Sequence, residues 1–158
     1  MLAQLASAFV VVSVCVLIHT CGMVILAEWL LKRRAVIERR AGITHLTLLL
    51  IAVFSVIVVL HLGEAAIWAF FYQQRGLFPD YESSLYFSLT SYSTVGYGDV
   101  LLPQRWRLLG CVEAITGVLL CGLSTAFIFV LVNALIQTRA REQQAVRIDS
   151  TRQFSADS

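Results

Sequence analysis

Ser93-Thr94-Val95-Gly96-Tyr97-Gly98-Asp99 is the stretch on which the reading of this chain turns. Gly96 and Gly98 stand at alternate positions, and glycine takes unusual φ/ψ values at little steric cost. A chain whose successive carbonyls all point one way is neither helix nor strand, and it needs such residues. An ion crossing lipid sheds most of its water, and rings of backbone carbonyls can replace those oxygens. Irregular backbone at membrane depth is tolerated only where protein buries it or water reaches it. The neighbours fit the same picture. The Thr94 hydroxyl can add an oxygen, and the Val95 side chain can pack away from the axis. Tyr97 can brace the loop through its hydroxyl, and Asp99 at the outer mouth can raise the local cation concentration.

Working outward, the half-polar run 81–93 is too short to cross a bilayer and reads as a re-entrant helix. Asp80 is placed to cap its start. Its C-terminal end aims partial negative charge inward, which favours a cation there. Tyr86, Phe87 and Tyr92 are expected to form an aromatic cuff. Beyond it lie three stretches apolar enough to span, each exceeding the roughly 20 residues required. The chain divides into an N-terminal span 1–31, a basic loop 32–42, a pore-like unit 43–136 and a tail 137–158. Within the unit, an outer helix covers 43–72, the short helix 81–93, the loop 94–98 and an inner helix 106–136.

Composition agrees. Of 158 residues, 58% are hydrophobic and 14% charged, against about 25% charged in soluble domains. Mean hydropathy is +0.78. A net charge of +2 gives no footing for nucleic acid. Lys32, Arg33, Arg34, Arg39 and Arg40 crowd the first connection, and Arg139, Arg141, Arg147 and Arg152 follow the last span. The positive-inside rule makes both cytoplasmic, with the N-terminus and the region 73–105 outside. The basic segment can also touch anionic lipid. The first charge is Glu28, so the basic start of a signal peptide is missing. Cys15, Cys21, Cys111 and Cys121 sit in apolar runs and read as packing residues.

The run 93–99 resembles the signature of the tetrameric potassium-channel superfamily. The likeness extends from about Trp68 through Phe129 in the order outer helix, pore helix, filter, inner helix. It looks most like small prokaryotic two-helix-pore channels, with one extra N-terminal helix. The resemblance implies K⁺ binding by the carbonyls of Thr94, Val95, Gly96 and Tyr97, with Gly98 completing the filter. It also implies four copies around one pore, passive K⁺ flow and a place in the plasma (inner) membrane. Some relatives carry a glutamate four residues before the filter threonine, partnered with the filter aspartate. Here Thr90 stands there, which leaves Asp99 without that partner. Inner helices of the family bend at a glycine, for which Gly117 and Gly122 are the candidates. Close packing by small residues explains them equally well.

Ionisable residues inside a span are functional suspects. His61 and Glu64 share a helix face. Glu64 and Glu113 lie at the depth of the loop, where one or the other is expected to bond behind it, to Asp99 or Tyr97; solvation at the membrane interface explains them equally well. His61-Leu62-Gly63-Glu64 lacks the HExxH pattern of a zinc peptidase. His19 reads as a satisfied packing residue. The first span has no arginine at every third position, so it is not a voltage sensor; it is expected to pack outside the pore unit. No nucleotide loop, catalytic triad or cofactor motif is visible, so neither an enzyme nor a cofactor is expected. The fold is therefore an all-α membrane protein forming a K⁺-selective homotetramer. The rival functions are a weakly selective cation channel and a non-conducting accessory subunit. A separate regulatory protein and the gating stimulus are not specified.

Overall fold

A computed structural model of the protein describes residues 2–39 and 42–156. They form four helices: α1 Leu2–Arg39, α2 Ile43–Gln74, α3 Tyr81–Tyr92 and α4 Arg107–Ala156, the last entered through a 3₁₀ turn at Gln104–Trp106. No strand occurs among the described residues. Three segments among them are long and apolar enough to cross a membrane: Gln4–Arg33, Ile43–Gln74 and Gln104–Ala140. The chain is an all-helical, multi-pass membrane protein.

Two expected boundaries move. α1 continues through Arg39, so residues 32–39 are helix rather than loop. The run Lys-Arg-Arg-Ala-Val-Ile-Glu-Arg is mostly good helix formers and has no proline or glycine to end it. The tail likewise continues α4 through Ala156. Residues 40, 41, 157 and 158 of those segments lie outside the described residues.

α1 packs against α2 and α4, while α3 lies between α2 and α4. α1 buries Ala8, Val11, Cys15, His19, Met23, Leu26 and Leu30, a seam at intervals of three and four residues, as one face of a helix requires. One apolar cluster surrounds α3 through Trp68, Tyr72, Phe78, Phe87 and Leu109. A second joins Met23, Leu26 and Leu30 to Val53, Ile57 and residues of α4. Along each of α1, α2 and α4, polar side chains sit at the junction of the two: His19, His61 with Glu64, and Ser124. The other large apolar residues, among them Phe9, Val59, Leu119 and Phe129, face outward, as lipid-facing positions should.

Candidate functional site

The short helix is built as its sequence dictates. The Asp80 carboxylate accepts from the Ser83 N–H at 2.7 Å, which satisfies one of the orphan donors of the first turn. Twelve residues later α3 stops. The loop is then tied to the helix it leaves: the Thr94 N–H donates to the Ser91 carbonyl at 2.9 Å, and the Gly96 N–H to the Thr90 carbonyl at 3.0 Å.

The backbone of the loop has a regular peculiarity. Thr94, Gly96 and Gly98 have φ of +61°, +52° and +78°, while Val95 and Tyr97 do not take positive φ. Left-handed backbone thus recurs at every second residue. Glycine reaches it freely, but for β-branched Thr94 it is a strained conformation, costing about 1–3 kcal/mol. Val95 is 51% and Tyr97 72% exposed on the single chain. Just past Gly98, the Tyr86 hydroxyl donates to Asp99 Oδ2 at 2.7 Å. That bond holds the Asp99 carboxyl below its ordinary range. Asp99 therefore has a partner, supplied by an aromatic residue whose role the sequence did not disclose.

Glu64 and Glu113 are both fully buried, but their partners are neither Asp99 nor Tyr97. Glu113 accepts from the Tyr72 hydroxyl at 2.7 Å and from the Ser88 hydroxyl at 2.5 Å. It therefore joins α4 to α2 and to the back of α3. Glu64 belongs to a closed ring. His19 Nδ1 lies 2.8 Å from Glu64 Oε1. The Tyr92 hydroxyl donates to Glu64 Oε2. His61 Nδ1 lies 2.9 Å from the Tyr92 oxygen. Ser124 Oγ lies 3.1 Å from both His61 Nε2 and His19 Nε2. Glu64, His19, Ser124, His61 and Tyr92 thus close a circuit of five links, with a member on each of the four helices.

The aromatic cuff is not a single layer. Tyr92 turns to Glu64, Phe87 packs on Tyr72 and Phe78, and Tyr86 reaches Asp99. Gly117 meets the end of α3 so closely that a Cβ there would stand 2.1 Å from the Tyr92 carbonyl oxygen, whereas a Cβ on Gly122 would meet nothing within 4 Å. His19 is buried and satisfied, as expected. It also ties α1 directly to the end of α3 through Glu64 and Tyr92.

A family model described as an ion channel matches residues 45–134, more than half of the chain. The chain belongs to this ion-channel family. The matched region takes in α2, α3, the 93–99 loop and the apolar part of α4. α1, which brings His19 to the channel domain, lies outside it. No curated relative and no solved structure matches the chain. The family is one of channels rather than enzymes.

Proposed function

We propose that this channel subunit conducts K⁺ selectively and passively, through a pore that four copies build together. The observation that carries the reading is the alternation of backbone handedness at 94, 96 and 98. In an ordinary strand successive carbonyls point to opposite sides. Reversing the sign of φ at every second residue brings them toward the same side, as a column of oxygen ligands requires. In this reading the carbonyls of Thr94, Val95, Gly96 and Tyr97 replace the ion's water, Gly98 frees the outer turn and Asp99 attracts cations. One chain supplies one quarter of each oxygen ring, so four-fold closure is needed. The exposure of Val95 and Tyr97 on the single chain supports neighbours that would cover them. Glu113, by fixing Ser88, holds α3 behind the filter, and the Glu64 circuit does the same through Tyr92.

The N-terminus lies outside and the tail inside, in the plasma (inner) membrane, with the basic segment at the cytoplasmic lipid surface. No enzyme activity and no cofactor other than the permeant ion are needed. Liposomes containing the purified protein test this directly. K⁺ uptake should exceed Na⁺ uptake, and the reversal potential in mixed salts should follow the K⁺ gradient. Equal permeability would replace this reading with an unselective cation pore. Absence of flux from a chain that cross-links only to other proteins would replace it with an accessory subunit.

A further inference from the structure

We propose that His19, His61 and Glu64 form a buried binding site for a divalent transition-metal ion of the zinc class. Two imidazoles and a carboxylate are a zinc donor set. The site draws its ligands from two helices, and one donor atom from each residue lies within 4.8 Å of the others. Tetrahedral bonds of about 2.0–2.1 Å space donors roughly 3.3 Å apart. Each imidazole already faces one carboxylate oxygen: His19 Nδ1 stands 2.8 Å from Oε1 and His61 Nδ1 3.3 Å from Oε2. The two rings also offer one nitrogen each, Nδ1 or Nε2, within 4.8 Å of one another, so drawing that pair onto an ion takes a closure of at most about 1.5 Å.

The second feature is an outer shell already in place. Imidazoles that ligate a metal almost always donate their other N–H to a fixed acceptor. With both Nδ1 atoms on the ion, both Nε2 atoms point at Ser124 Oγ, each at 3.1 Å. A hydroxyl oxygen has two lone pairs, one for each donor. The Tyr92 hydroxyl donates to Glu64 and orients the third ligand. α3 and α4 thus supply the outer shell of a site whose ligands come from α1 and α2. Without an ion the same groups satisfy one another, so the pocket keeps its shape. Imidazole favours zinc and its neighbours, whereas Mg²⁺ and Ca²⁺ prefer oxygen ligands. His61 keeps 17% side-chain exposure on the single chain while the Glu64 side chain has none, so an ion approaches from the His61 side. The other titratable groups near the pocket are the thiols of Cys15 and Cys121, both within electrostatic reach of Glu64.

The test uses the full chain in detergent, stripped with a chelator and equilibrated with zinc chloride or magnesium chloride. Bound metal is measured per chain, and zinc X-ray absorption reports its ligands. The expected result is one zinc and no magnesium per chain, with two imidazoles, oxygen and no sulfur around the zinc. Ser124→Ala should weaken zinc binding by about 10–100-fold. His19→Gln and His61→Gln should weaken it further. His45→Gln, at an exposed histidine near the start of α2, should leave it unchanged. A sulfur ligand, no zinc uptake, or full uptake in both ring-histidine variants would overturn the proposal. If those variants do not fold, the absorption spectrum of the unaltered chain decides alone. Conduction enters none of these readouts, so the channel reading stands or falls separately.

Discussion

A methyl group at Gly117 should dislodge the pore helix, because there is no room for it. The Cβ of Gly117→Ala would lie 2.1 Å from the Tyr92 carbonyl oxygen, 3.0 Å from its carbonyl carbon and 3.2 Å from its ring. Ordinary contact begins near 3.4 Å, so the last turn of α3 and the facing turn of α4 must separate by about 1 Å, since the obstacle is backbone. Overpacking of this kind costs about 1–3 kcal/mol. For a chain of this length that is a fall in unfolding midpoint of roughly 3–9 °C. The displaced turn also carries the Thr90 carbonyl that holds the Gly96 N–H, so the filter should loosen with it. Thermal unfolding in detergent measures the first effect, and K⁺ against Na⁺ flux in liposomes the second. Gly122→Ala is the control, because its methyl meets nothing within 4 Å and should, if anything, stabilise by up to about 1 kcal/mol through helix propensity. A Gly117→Ala protein as stable and as selective as the original would refute the packing argument. Equal effects on gating from both substitutions, at unchanged stability, would point instead to two hinges.

Other outcomes follow from the buried and exposed polar pairs. Glu113→Ala orphans the Tyr72 hydroxyl and leaves Ser88 only the Ala65 carbonyl, and should cost about 1–3 kcal/mol, read as a lower unfolding midpoint; Glu113→Gln, which keeps an acceptor, should cost less. Asp80→Ala removes the α3 cap and should lower the unfolding midpoint, and Asp80→Asn should restore most of it. Tyr86→Phe removes the main cause of the depressed Asp99 carboxyl. A depressed carboxyl stabilises above its unfolded value and loses that contribution as pH falls through the folded one. The variant's K⁺ flux should therefore fail at a higher external pH than the original's, and coincident pH profiles would dismiss the pairing. Tyr92→Phe breaks two links of the circuit at once. Its double-mutant cycle with His19→Gln should show coupling between α1 and α3, while simple additivity would deny it.

The all-α class, three apolar spans, a short capped helix and an irregular loop before the last span could all be written from the residues. Hydropathy integrates over 20 positions, and alternate glycines constrain backbone directly, so both signals are local. The His61–Glu64 spacing was visible for the same reason. Which face each span buries was not legible. The spans are apolar on nearly every side, because lipid and protein interior select the same residues, and a stripe such as Ala8 to Leu30 has no polar face to contrast with it. The circuit was hidden more deeply still. His19 and Glu64 are 45 residues apart, and His19 and Ser124 are 105 apart. Each looks like an isolated polar residue until helix packing brings them within 3.1 Å. Sequence determined that ionisable groups stand inside the membrane. Only the tertiary structure decided which of them meet, because that depends on how four helices rotate about their axes, and no local pattern records it.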